Sequence, residues 1–414
     1  MPTKYPLSAL RALALHTQGL TASQVSQPAP TLDEMVAQVD SLGCVQIDAL
    51  QVVQRSHYLV LWSRLGDYSA DDLDRLIYDP QHRRLFEGWQ HAASIITIAD
   101  YRYQMPHQRR LREAPADMSA SWLAEPGSQE LLATVLERIR KEGALRIADF
   151  EYDGPQRGSW WDWKPAKNAL EHHLAWGDLM ISQRHNFQRV YDLTERVLPA
   201  WVDVREPSPE ARDHFWLEQA FRVLGVCQPG WAADYAFMKR GRAAPLVNNL
   251  LQDGVIFEIQ AVLQDGKDHS LLVHRQNRQA LDQAAELAIM PERTTFLSPF
   301  DNLFWARGRD DLLWGFHNVL EAYKPAHTRT WGYFCLAILH RDRLIGRFDP
   351  RLDRKNKRLT LKALYLESGI ELDERLLSSV ATSLQRFMTF HNAVEIVIEN
   401  SYPQEFADRL ETFL

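Results

Sequence analysis

The 414-residue sequence predicts an α+β fold of three tandem winged-helix (helix-turn-helix) domains followed by a C-terminal β-rich region. Three segments end alike, in a helical pattern, a glycine and a short apolar run. They are TLDEMVAQVDSLG before CVQIDAL, PAKNALEHHLAWG before DLMISQR, and APLVNNLLQDG before VIFEIQA. Two of these runs continue into a hairpin return. Beyond residue 290 the pattern changes to β-rich runs separated by turns and closed by an amphipathic helix.

Each element has a local reason. Thr31 and Glu34 stand in capping-box spacing, and Leu32, Met35, Val36, Val39 and Leu42 recur on one helical face. Pro165 and Pro245 are expected in the first turns of the second and third final helices. Gly43, Gly177 and Gly254 stand where a left-handed helix cap is expected. The hairpins turn around His185-Asn186 and Asp265-Gly266. LSALRALALHT, QELLATVLERIRKEG and ARDHFWLEQAFRVLG supply the helices upstream of each final helix. A long insert follows the first strand. In the C-terminal region, turns at Arg341-Asp342 and Asp353 to Lys357 separate strands, and ELDERLLSSVATSLQRFMTFHN forms the closing helix. The expected domains are 1–115 (first winged helix with its helical insert), 116–200, 201–288 and 289–414.

Composition limits the function classes. A hydrophobic fraction of 45% with 24% charged residues is that of an ordinary folded chain. The N-terminal stretch lacks an apolar core and cleavage site of the signal-peptide kind. The longest apolar run, WGYFCLAIL, is about half of what a membrane helix needs. Cys44, Cys227 and Cys335 are widely spaced, which argues against a zinc ribbon, an iron–sulfur cluster or a disulfide framework. A soluble, cytoplasmic protein without cofactor, metal or membrane partner is expected. The net charge of −7 is no nucleic-acid signature, yet residues 341–362 carry nine Lys/Arg against three Asp, and residues 101–112 carry four Arg and no acid. Such patches on an acidic body can steer a polyanion.

Within GCVQIDALQVVQRSH, a strand over 44–50 would put Cys44, Gln46, Asp48 and Leu50 on one face and Val45, Ile47 and Ala49 on the other. Gln46 and Asp48 would then stand side by side, facing water, a polar partner or a ligand. By itself a Q-x-D is more often a solvated strand face than a site.

The blocks LGCVQIDALQVVQRSHYLVLWSRLGDY, LFEGWQHAASIIT, SPFDNLFWARGR and HRDRLIGRFDPR span nearly the whole chain. On these the sequence resembles the AlkZ/AlkX group of bacterial DNA glycosylases, the YcaQ-like proteins built from tandem winged helices. The family's catalytic motif (Gln, an apolar residue, then Gln or Asp) falls on Gln46, Ile47 and Asp48. The resemblance implies a DNA glycosylase, and the Asp version resembles the AlkX branch, which acts broadly on N7-alkylated purines and interstrand crosslinks. Double-stranded DNA carrying such lesions is the implied partner, and a monomeric, nucleoid-associated enzyme is what the resemblance implies. No lysine lies in the motif, so a monofunctional enzyme without a Schiff-base step is expected. A crosslinked base is too bulky to swing into a closed pocket, so an open channel is expected.

DNA contacts are expected from Arg55 and His57 just past the motif, and from Lys164 and Lys167 at the start of a recognition-type helix. Arg184 and His185 at a wing tip, and Lys239, Arg240 and Arg242 before the third final helix, complete the set. His91 reads most simply as a hydrogen-bonded core histidine, and the adjacent His172 and His173 would diverge on a helix, so no metal is assigned. The competing function is a non-catalytic winged-helix regulator, although no dimerisation helix is evident. A metal-dependent nuclease fails for want of clustered carboxylates or histidines.

Overall fold

The computed structural model describes residues 2–22, 29–150 and 165–414. The chain divides into two compact units. Met1–Ala70, Gln90–Ser94 and Trp216–Leu414 form the first, and Asp71–Trp89 with Ile95–Phe215 form the second. The α+β composition is as expected.

Three three-stranded sheets share one strand order: first, third, second. In each, the first strand has only two residues and follows a helix through a glycine with positive φ, where a Cβ would be strained. Helix Leu32–Leu42 leads through Gly43 (φ 75°) to strand Val45–Gln46. Helix Ser128–Glu142 leads through Gly143 (φ 93°) to Leu145–Arg146, and helix Pro209–Leu224 through Gly225 (φ 71°) to Val226–Cys227. The longer strands are Leu85–Trp89 and Ala93–Thr97, then Leu179–His185 and Gln188–Leu193, then Ile256–Val262 and Asp268–His274.

This order corrects the expected alignment of the repeats. Gly177 and Gly254 precede long hairpin strands, whereas Gly43 precedes a short first strand and corresponds topologically to Gly143 and Gly225. The apparent insert after Gly43 contains helices Ser56–Leu65 and Ala70–Tyr78. These occupy the same place in chain order as Pro229–Tyr235 and Arg240–Gln252 before the third hairpin.

Local signals otherwise act as their chemistry requires. Thr31 Oγ1 accepts the Glu34 N–H at 3.2 Å, and the Glu34 carboxylate accepts the Thr31 N–H at 2.7 Å, closing the capping box. Pro165 opens helix Pro165–Trp176, but Pro245 lies inside Arg240–Gln252, beyond its first turn. The second hairpin turns at Asn186 and Phe187 (φ 48° and 67°), one residue later than expected, with His185 opposite Gln188.

In the second unit, Val135, Ile139, Ala169, Leu170, Leu179, Ile181 and Tyr191 form a buried cluster. In the first unit, a six-stranded sheet runs in the order Thr294–Leu297, Leu336–His340, Arg343–Asp353, Arg358–Leu366, Glu395–Ile398, with Ser401–Tyr402 also on Arg358–Leu366. Helix Glu374–Phe390, capped by Asp373 on the Leu376 N–H at 2.7 Å, packs Leu377, Val380, Leu384 and Phe387 inward. Trp62 stacks on Phe296 at 6.0 Å and meets Phe387 edge-on at 5.0 Å, which joins helix Ser56–Leu65 to this sheet and to its helix. Among the described residues no helix is long and apolar enough to cross a membrane.

Gly346 sets the spacing of the two longest strands. A Cβ there would lie 2.1 Å from the Tyr365 carbonyl oxygen, so the strands can approach only without it. Gly346→Ala is therefore expected to lower stability by about 1–3 kcal/mol or more, read as a fall in the urea midpoint.

Candidate active site

The motif backbone is held at three points between Cys44 and Ile47. Gly43 turns the chain, after which Cys44 and Val45 are buried. The Cys44 carbonyl accepts Asn302 Nδ2–H at 2.9 Å, the Gln46 carbonyl accepts the Ser56 hydroxyl at 3.2 Å, and the Ile47 N–H donates to the Ala93 carbonyl at 2.8 Å. The strand ends at Gln46. Asp48 leaves the ladder because its Oδ1 accepts the Leu50 N–H at 2.8 Å, the short-range bond by which Asp makes a turn.

The expected two-faced strand over 44–50 is thus corrected. Cys44 is as buried as Val45, Ala49 is exposed, and Gln46 and Asp48 are half-buried on the strand's end and the turn after it. Among the described residues, neither the Gln46 carboxamide nor Asp48 Oδ2 takes part in a hydrogen bond or ion pair. A half-accessible amide and a carboxylate oxygen are left on a fixed backbone.

What fixes that backbone lies far away in sequence. Arg64 and Asp301 form a bidentate ion pair (2.5 and 2.8 Å), with both side chains fully buried. Arg64 also donates to the Gln18 and Val60 carbonyls, and Asp301 Oδ1 accepts the Leu303 N–H at 3.0 Å. The next residue, Asn302, spans the Cys44 carbonyl and the Tyr235 hydroxyl (2.7 Å), and Tyr235 donates to the Leu42 carbonyl at 2.7 Å. Burial pushes the Tyr235 phenol well up, so it remains a donor. Trp305 stacks on His91 at 4.2 Å, and His91 Nδ1–H donates to the Tyr235 carbonyl at 3.3 Å. Burial lowers the His91 pKa, which keeps the ring neutral and agrees with a core histidine. Arg64, Tyr235, Asp301 and Asn302 were not singled out from sequence. Their only signal was that Arg64 and the Asp301-Asn302 pair lie in long family blocks.

A loop and a hairpin also reach this region. Arg354 Nη2 donates to the Val53 carbonyl at 2.6 Å, placing the tip of the Arg343–Asp353 and Arg358–Leu366 hairpin against the segment after Asp48. Lys355 and Lys357 on that tip are exposed, so the basic run seen in the sequence has a defined location. In the segment 316–333, the buried Glu321 carboxylate accepts the N–H groups of Thr330 (3.1 Å), Trp331 (2.7 Å) and Gly332 (3.3 Å), and pairs with Lys324 at 3.0 Å. Burial alone would raise its pKa, but these donors hold it down at about 2.

The expected DNA contacts separate. Lys239, Arg240 and Arg242 are exposed at the start of helix Arg240–Gln252, with Arg240 3.7 Å from Asp234. His185 is exposed on its hairpin tip. Arg55 is half-buried at the N-cap of helix Ser56–Leu65. Lys167 is half-buried near Glu171 and Arg189, and desolvation lowers its pKa. His57 is only 4% exposed, packed with its ring 4.1 Å from Tyr58, so the expectation of a phosphate contact is corrected for it. The same correction applies to Arg184, which grips Glu87 through two 2.6 Å bonds and is 11% exposed. Lys164 lies outside the described residues. Among the described residues no group of three or more His, Cys, Asp or Glu could hold a metal ion.

The family model of AlkZ-like DNA glycosylases matches residues 39–390, a span that includes the motif strand, His91 and the Asp301-Asn302 anchor; the chain belongs to that family. It is accordingly a DNA glycosylase, a hydrolase with DNA as substrate. A particular relative in structure is the DNA glycosylase AlkZ of Streptomyces sahachiroi, with a TM-score of 0.61 and 14% identity over 96% of this chain and 100% of that one. At that identity the likeness concerns the fold.

Two outcomes follow from the anchor and the loop. Asp301→Ala strands the Arg64 cation in the core and is expected to cost about 3–5 kcal/mol in chemical denaturation. Glu321 has a folded pKa below its ordinary value of 4.5, so its contribution is full above that value and disappears as pH falls towards about 2. The stability gap between wild type and Glu321→Gln should therefore be flat from neutral pH to about 5 and close on further acidification, as measured by denaturation at each pH.

Proposed function

We propose that Gln46 and Asp48 are the catalytic pair of a monofunctional glycosylase that removes N7-alkylated purines and unhooks interstrand crosslinks. The observation that carries this reading is the half-exposed Asp48 carboxylate, with Oδ1 fixed by the Leu50 N–H, beside the Gln46 amide on a pinned strand end. A purine alkylated at N7 is cationic and leaves as a neutral base when its glycosidic bond breaks, so no general acid is required. The remaining tasks are to stabilise positive charge on the sugar and to align a water. Asp48 Oδ2 takes the first and polarises the water, and the Gln46 carboxamide orients the water or holds the deoxyribose. Neither role needs a Schiff base.

The repeated helix, short strand, helices and hairpin are read as three winged helices, with the C-terminal sheet as a fourth part, in a monomer that binds duplex DNA. Lys239, Arg240, Arg242 and His185 are the contacts that exposure favours, joined by Lys355 and Lys357 on the hairpin tied to Val53. An open approach to the motif suits a bulky crosslinked base.

The test is single-turnover excision of one N7-methylguanine in duplex DNA, in chelator, with alkaline cleavage of the abasic product. Wild type is expected to cut, and Asp48→Asn to lose about 10²–10³-fold in rate with Gln46→Ala also impaired, while both variants still bind the duplex. Binding without scission by wild type, on this lesion and on a crosslinked duplex, would return Gln46 and Asp48 to the scaffold.

A further inference from the structure

Residues 90–94 bind the motif on one side and, on the other, the turn between helices Pro229–Tyr235 and Arg240–Gln252. The Ala93 carbonyl accepts the Ile47 N–H, between Gln46 and Asp48, at 2.8 Å. His91 Nδ1–H donates to the Tyr235 carbonyl at 3.3 Å, and Gln90 Nε2–H to the Ala236 carbonyl at 3.5 Å. Within the turn the Phe237 N–H donates to the Asp234 carbonyl at 3.2 Å and the Met238 N–H to the Ala233 carbonyl at 2.8 Å. The Asp234 carboxylate accepts the Arg307 N–H at 3.3 Å and lies 3.7 Å from Arg240.

In this pinned turn stands Phe237. Its φ of 51° lies in the left-handed region, where a bulky side chain is strained and glycine or asparagine is at ease. The ring is 65% exposed and meets the His91 ring edge-on at 5.7 Å. Neither backbone preference nor burial accounts for a phenylalanine here. Lys239, Arg240 and Arg242 follow closely in the chain and are exposed. An exposed apolar ring beside basic side chains suits entry into a base stack: the cations hold phosphates, and the ring replaces the stacking that is lost.

We infer that Phe237 is a DNA wedge, whose ring enters the base stack beside the alkylated purine and opens that step to the motif. A crosslinked base is too bulky to be swung out of the helix, so its glycosidic bond is reached by parting the neighbouring bases. The ring rests on His91, and Ala93, two residues on, holds Ile47, so the wedge and the motif share one short support. The inference rests on the glycosylase reading of Gln46 and Asp48 and extends it to how the bond is exposed. It assigns the strain at Phe237 to DNA contact instead of to the fold.

Three readouts test it on the full chain: fluorescence of a 2-aminopurine placed next to N7-methylguanine in duplex DNA, single-turnover excision from that duplex at saturating enzyme, and the melting temperature of the protein. Wild type is expected to raise the fluorescence, because 2-aminopurine brightens when it is unstacked. Phe237→Gly and Phe237→Asn remove the ring and suit the left-handed backbone. Both are expected to lose the fluorescence rise and about tenfold in excision rate, with melting unchanged or higher. A structural role would instead lower melting and leave the fluorescence rise in place. No rise with wild type, a rise kept by both variants, or lower melting in both overturns the inference while the glycosylase reading stands. A rise with wild type that depends on Phe237, but without excision, overturns the Gln46 and Asp48 reading and leaves the wedge.

Discussion

The buried ion pair of Arg64 and Asp301 is the constraint on which the motif depends. Two charges removed from water are costly, and their attraction repays that cost only with good geometry and satisfied remaining groups. Both conditions hold. The guanidinium is bidentate and also meets the Gln18 and Val60 carbonyls, and the carboxylate takes the Leu303 N–H as well. A hydrophobic contact of equal area would tolerate sliding; a bidentate pair does not. It fixes the register of segment 298–305 against helix Ser56–Leu65, and Asn302, one residue on, then reaches the Cys44 carbonyl.

A site of one amide and one carboxylate has almost no scaffold of its own, which explains why so much distant structure converges on it. Asn302, Ser56 and Ala93 hold successive backbone groups from Cys44 to Ile47. On the proposed reading, positioning to a fraction of an ångström is the main lever that one amide and one carboxylate have. Tyr235, His91 and Trp305 form the next layer; burial keeps the Tyr235 phenol protonated and the His91 ring neutral, so these two add no formal charge beside the motif.

Much of the fold was legible because its signals are local. The Thr31–Glu34 box, the left-handed glycines and the Asp265-Gly266 turn depend on a few neighbouring residues. The frame of the first repeat was not, since a two-residue strand has no periodicity to read: Val45–Gln46 was matched to long hairpin strands, although its counterparts are Leu145–Arg146 and Val226–Cys227. The pair at 46 and 48 was visible, but its geometry was not. Asp48 makes a turn instead of continuing the strand, a choice of one hydrogen bond over another. Arg64 and Asp301 are 237 residues apart, so no spacing could announce them. Charge alone also misled at Arg184, whose partner Glu87 is 97 residues away and satisfies it inside the fold.

If Gln46 and Asp48 act as proposed, an amide at position 46 has a physical reason. A second carboxylate two residues from Asp48, in a half-buried setting, would repel it, and the repulsion would be relieved by taking up a proton. That proton would remove the negative charge a cationic sugar needs. Glutamine avoids the conflict and brings both a donor and an acceptor, so it can hold a water by either side while Asp48 acts on it. For the proposed N7-alkylated substrate, a leaving group that carries its own positive charge makes the economy workable: with no acid to supply, a second ionisable group would add only a competing protonation state.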